Sequence, residues 1–175
     1  MNKSESVTKP LRWSMGLLLA ALAGFGAAGC GGGGGGGTPA AVSTTGTSTG
    51  TVTAFGSVYV NGVKYDTTGI PIRVNGVAST QAALSVGDVV TVTGTSNGTT
   101  GVATNIEYWA DVEGPISAVN AAGNTLTVLG QPVIVNNTTV FDGAPTGLTG
   151  MAVNDMVEVS GFRDGNGAIV ASRIE

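Results

Sequence analysis

The sequence predicts an all-β chain made of two tandem small β-barrels, and three observations predict it. From Gly50 onward a unit of about 60 residues occurs twice in the same order. Glycine, asparagine and proline cut both copies into short runs rich in valine and threonine, residues that favour strands. Within those runs Val90 and Val92 alternate with Thr91 and Thr93, and Val157 and Val159 alternate with Glu158 and Ser160. That period of two puts the valines on an inner face. Five or six short strands in about 60 residues are too few for a large sandwich, whereas closure into a small barrel hides the strand edges.

The repeat keeps its order throughout. Leu84-Ser85-Val86-Gly87-Asp88-Val89-Val90-Thr91-Val92-Thr93-Gly94 matches Met151-Ala152-Val153-Asn154-Asp155-Met156-Val157-Glu158-Val159-Ser160-Gly161, with five of eleven pairs identical. Val102-Ala103-Thr104-Asn105-Ile106-Glu107 matches Val170-Ala171-Ser172-Arg173-Ile174-Glu175, with four of six identical. The starts align as well, Gly50-Thr51-Val52 with Gly114-Pro115-Ile116. The two units are therefore set at 50–110 and 113–175, each of a size that folds alone, though marginally.

In the first unit, strands are expected near 50–55, 58–61, 63–66, 71–75, 88–95 and 101–107. Asn61-Gly62 is a strong hairpin signal, and Asn75-Gly76 and Asn97-Gly98 are further turns. Ser79 to Leu84 is the one stretch suited to a short helical turn. In the second unit, strands are expected near 114–119, 125–129, 132–136, 139–141, 155–162 and 168–174, with Asp164-Gly165-Asn166-Gly167 as the last hairpin turn.

Ahead of the units, residues 31–37 are seven consecutive glycines, followed by a Thr/Ser-rich stretch. Nothing in 30–49 compensates the entropy of ordering, so this segment is read as a flexible tether. A coil of that length spans roughly 25 Å on average. Upstream, Lys3, Lys9 and Arg12 precede an apolar segment from Trp13 to Ala28 that ends in Gly29-Cys30. The segment is short for a spanning helix, which needs roughly 20 apolar residues. It resembles a bacterial lipoprotein signal peptide at 1–29, with Cys30 the lipidated first residue of the mature chain. The resemblance implies a lipid-anchored protein of the cell envelope whose membrane partner is reached through that lipid. Gly31, not aspartate, follows the cysteine, which by the same resemblance favours the outer membrane.

Val58-Tyr59-Val60-Asn61-Gly62-Val63 with Tyr65-Asp66, the block Leu84-x-Val86-Gly87-Asp88-x-Val90-x-Val92-x-Gly94, and Ala103-Thr104-Asn105-Ile106 resemble the DUF5666 domain, in tandem, over nearly all of 50–175. The second unit departs from that pattern with Asn154 for glycine and Leu129-Gly130 for asparagine-glycine. The resemblance implies a small OB-like barrel in each unit. It brings no catalytic residues with it.

Several chemistries are excluded by composition. The chain has no histidine and one cysteine, so it holds neither a histidine-based triad nor an intrachain disulfide. After residue 29 there are four basic and ten acidic residues, a net charge of −6, which makes nucleic acid a poor partner. Asp88 and Asp155 take equivalent places after a turn, where aspartate accepts loop N–H groups. Asp164 to Gly167 lacks the spacing of a calcium loop and fits a hairpin. Asp111 and Glu113 are read as charges between the units. No metal, no cofactor and no enzymatic activity are expected. The remaining candidates are aromatic: Tyr59, Tyr65, Tyr108 and Trp109 lie in or just after the first unit. On a barrel face they would stack on a glycan or a segment of an envelope protein, and inside it they would be core and rim. The expected function is a non-catalytic binding or scaffolding module. The alternative is a structural spacer or surface-coat lipoprotein without a discrete ligand.

Overall fold

The computed structural model describes residues 43–143 and 147–175. Barrel one is built from β1 (Thr44–Ala54), β2 (Val58–Val60), β3 (Val63–Asp66), β6 (Val89–Ser96) and β7 (Thr100–Tyr108). A small hairpin of β4 (Ile72–Val74) and β5 (Val77–Ser79) is inserted between β3 and β6. The barrel closes in the circuit β1-β2-β3-β7-β6-β1, with only β3–β7 parallel. Barrel two repeats the circuit with β8 (Val112–Asn120), β9 (Thr125–Val128), β10 (Gln131–Ile134), β12 (Met156–Arg163) and β13 (Ile169–Ile174), and β10–β13 is its parallel pair. The short β11 (Val140–Phe141) pairs with the end of β13, at Arg173 and Ile174, beyond the stretch taken by β10. Five strands closed in this order make the small OB-like barrel. Among the described residues helix is limited to three short 3-10 turns, one of them Gln81–Ala83 inside the expected 79–84 stretch.

Each barrel has its own core. Val52, Val58, Val60, Val90, Val92, Ile106 and their neighbours fill the first. Ile116, Leu126, Val128, Val159, Ile169 and Ile174 fill the second. Each such side chain taken fully out of water contributes about 1.5–3 kcal/mol. Both clusters and all the barrel pairings lie inside the compact unit Pro39–Glu175, which therefore carries everything its fold requires.

The same irregularity recurs in both barrels. The register slips between Thr93 and Gly94 opposite β7, leaving Thr104 as an extra residue. It slips again between Ser160 and Gly161 opposite β13, leaving Ser172 extra. Thr104 Oγ1 donates to the Thr93 carbonyl at 3.1 Å, and Ser172 Oγ to the Ser160 carbonyl at 3.0 Å. A Cβ at Gly94 would stand 2.2 Å from Val102 O, and one at Gly161 2.3 Å from Val170 O. Both bulges thus require glycine for backbone approach.

Two expectations need correction. Thr44–Thr49 is not tether but the first half of β1, paired with β6 from Ser96 to Thr91. Threonine suits a strand, β6 offers a long edge, and the Asn61 side chain anchors the join by donating to Thr49 O at 2.9 Å. Barrel one accordingly begins before residue 50. Ser160, read as facing solvent, does point away from its own core, yet it is buried against barrel one. β5 also goes beyond the expected strands, as the second arm of the hairpin turned by Asn75-Gly76. Residues 1–29, Cys30 and the tether up to 42 lie outside the described residues.

Candidate functional site

The turn Asn61-Gly62 has positive φ at both residues, 51° and 78°, and joins β2 to β3. Its counterpart Leu129-Gly130 adopts the same geometry, at 49° and 81°, although leucine is poorly suited to it. The aspartates behave as turn residues. Asp88 Oδ2 accepts Ser85 N–H at 2.7 Å and Asp155 Oδ2 accepts Ala152 N–H at 2.8 Å. Asp164 Oδ1 accepts the N–H groups of Asn166 and Ala168, closing the β12–β13 hairpin. Among the described residues no group of three or more His, Cys, Asp or Glu is placed to hold a metal ion.

Asp88 does more than Asp155. It is 1% exposed, and the Arg173 guanidinium of barrel two sits 3.1 Å from its Oδ1. Arg173 also reaches Asp142 at 2.9 Å and Glu175. Burial pushes the Asp88 carboxyl above its usual range, against the opposing pull of Ser85 N–H and Arg173. Hydrogen bonding to Arg173 holds Asp142 below its usual range. For Arg173 burial opposes the charge, and the bonds to Asp142 and Glu175 outweigh it, raising its pKa. Around this pair, the single Ser172 hydroxyl proton is shared between Gly87 O at 2.6 Å and Ser160 O at 3.0 Å, and Val89 N–H donates to Ser160 Oγ at 2.7 Å. Tyr108 Oη donates to Glu158 Oε1 at 2.5 Å. Burial, and then that bond, push the Tyr108 hydroxyl above its usual pKa. Asp111 is not a loose linker charge: its Oδ2 accepts Gly161 N–H at 2.9 Å and its own N–H donates to Val159 O. Glu113 is exposed on β8. The barrels are thus docked by polar groups that two independent units would leave in water.

The four aromatic candidates divide. Tyr65 and Tyr108 are core, 4% and 2% exposed, because β3 and β7 turn them inward with Val63 and Ile106. Of the two places the sequence leaves open for the rings, Tyr65 and Tyr108 therefore take the core and drop out of the candidate binding residues. Tyr59 is half-buried on the outer side of β2, opposite Lys64. Trp109 leaves the end of β7 and is 59% exposed. Its indole edge rests on the β4–β5 turn, where a Cβ at Gly76 would come within 3.0 Å of Cη2.

Trp109 shares a cleft of about 290 Å³ with Phe162 of barrel two, itself 46% exposed. The Thr49 and Thr91 hydroxyls, 3.1 Å apart, and the carboxylates of Glu107 and Asp111 line the cleft as well. Arg163 also lines it, donating to Gln131 Oε1 at 2.7 Å. Docking brings the two rings into one cleft. Phe162 was not among the expected site residues. The signal for it is the period of two along β12: Val157 and Val159 face the core, so Phe162 falls on the outer side with Glu158 and Ser160. Two exposed rings flanked by hydroxyls and carboxylates can stack on an apolar ring face and accept hydrogen bonds from hydroxyl groups around it.

The sequence profile of the family described as Domain of unknown function (DUF5666) matches at residues 49–107 and again at 113–175. No curated protein matches the chain. No solved structure matches it either.

Proposed function

Because this chain belongs to the DUF5666 family in both its barrels, and the family description assigns no activity, we propose a function from the site itself: a non-catalytic module that binds a saccharide chain in the cleft between Trp109 and Phe162. The observation that carries this reading is the pair of exposed rings, one from each barrel, beside the Thr49 and Thr91 hydroxyls and the Glu107 and Asp111 carboxylates. Sugar rings present an apolar C–H face to an aromatic and hydroxyls to carboxylates, so the lining suits them. The net charge of −6 beyond residue 29 argues against a phosphate-rich ligand. In this reading Cys30 carries the lipid and the chain works at the cell envelope. Metabolic labelling with a fatty-acid probe checks that part: Cys30→Ser should lose both the label and the membrane fraction.

Binding is tested by affinity electrophoresis of the Pro39–Glu175 unit through gels containing soluble neutral polysaccharides. Retardation by at least one polysaccharide, lost in Trp109→Ala and in Phe162→Ala at unchanged melting temperature, supports the site. Unretarded migration through the whole panel favours the spacer reading, in which docking serves only to hold the barrels as a rigid pair.

A further inference from the structure

The barrels meet through two different faces. Barrel one offers the turn Ser85–Val89, with Gly87 O, Val89 N–H and the Asp88 carboxylate as its contact groups. Barrel two offers its bulge, with Ser160, Ser172 and Arg173. The contact is heterologous, and such a contact can propagate from copy to copy, into a ring or an open array, wherever both faces are repeated.

Both faces are repeated in this chain. In barrel one, Gly87 N–H donates to Val52 O at 2.9 Å and Val52 N–H to Asp88 O at 2.8 Å. In barrel two, Asn154 N–H donates to Ile116 O and Ile116 N–H to Asp155 O, each at 2.8 Å. The second turn therefore has the first one's backbone, but its Asn154, Asp155 and Met156 are exposed where Gly87 and Asp88 are buried. The barrel-one bulge likewise repeats the hydrogen bond of the barrel-two bulge, and its Thr104 is exposed.

Two side chains differ at the points of closest contact. A Cβ at Gly87 would stand 2.8 Å from Arg173 Cβ and 3.0 Å from Ser172 O, so the docked turn has no room for a side chain. The matching residue of the free turn is Asn154, which brings one. Arg173 supplies the charge that reaches Asp88, and its match on the free bulge is Asn105, shorter and neutral. We propose that this docking mode is repeatable, because both of its faces recur, and that Asn154 and Asn105 terminate it, so that a second copy of the chain is refused at both free faces.

The test removes the stops. The Pro39–Glu175 unit is sedimented over a concentration series as wild type, Asn154→Gly, Asn105→Arg, the double variant, and the double variant with Asp155→Ala. Wild type should stay monomeric. The double variant should associate head to tail at concentrations at least tenfold lower than either single variant, with mass rising beyond that of a dimer. Asp155→Ala should return it to monomer. The reciprocal pair, Gly87→Asn with Arg173→Asn, moves the stops to the inner interface and should expand the hydrodynamic radius while the sheet spectrum is kept. A folded double variant that stays monomeric, a wild type that associates as strongly as the double variant, or a reciprocal variant that stays compact would each overturn the inference.

Discussion

Arg173→Met is the most informative change at the barrel junction. Methionine keeps much of the side-chain volume and removes the cation. Asp88, 1% exposed, keeps Ser85 N–H at 2.7 Å but loses its ion pair at 3.1 Å. Breaking one partner of a buried pair costs about 3–5 kcal/mol, because a desolvated charge is left behind. The lost contacts to Asp142 and Glu175 add little, since both carboxylates are more than half exposed and screened by solvent. The deficit depends on pH. The Asp88 pKa is already raised in the fold, so the folded state takes up a proton at higher pH than the unfolded chain does. Its contribution to stability is full at low pH and falls as pH rises through the raised value. Without Arg173 that value rises further, so the deficit should be large at neutral pH and shrink in acid. Asp142 runs the other way: its lowered pKa gives stability that is lost as pH falls, and the variant forgoes it throughout. Adding Asp88→Asn should recover most of the loss, because no charge is then stranded. Urea unfolding followed by circular dichroism at neutral and acid pH reads all of this. A deficit under about 1 kcal/mol at neutral pH, or one equal in both conditions, would refute the reasoning.

Two further changes probe the barrels themselves. Leu129→Asn relieves a leucine held at φ 49° while 64% exposed, and should stabilise by about 1 kcal/mol, read as a higher urea midpoint. Gly94→Ala drives a methyl into Val102 O, 2.2 Å from the new Cβ, and should destabilise barrel one by about 2–3 kcal/mol, whereas Gly98→Ala, with no atom within 4 Å, should lose only its turn preference.

The strands were legible because valine alternation and Asn-Gly turns are local signals. Val90 and Val92 are buried and Thr91 and Thr93 are not, as their period requires. The first half of β1 was hidden because a Thr/Ser/Gly run reads equally well as coil, and only the partner strand β6 decides. The tyrosines could not be sorted from sequence, since Tyr59 and Tyr65 sit in the same kind of run and only register tells outside from inside. The docking interface was the least visible. Ser160, Ser172 and Arg173 occupy outward positions that a single barrel would leave wet; the neighbouring repeat buries Ser160 and Arg173 and half-buries Ser172. The trace of it in the sequence is at two mismatches of the repeat, Gly87 against Asn154 and Arg173 against Asn105.

Saccharide binding between the barrels has one direct readout. Trp13 and Trp109 are the two tryptophans of the chain, so the Pro39–Glu175 unit carries Trp109 alone and gives a single indole N–H cross-peak in a nitrogen–proton correlation spectrum. Titrating it with the polysaccharides that retard the protein in gels should shift or broaden that peak together with the backbone signals of Phe162 and Thr91, and Phe162→Ala should weaken the effect at least tenfold. An indole peak that stays fixed while the same polysaccharides move signals elsewhere on the barrels, or move none, would contradict the account.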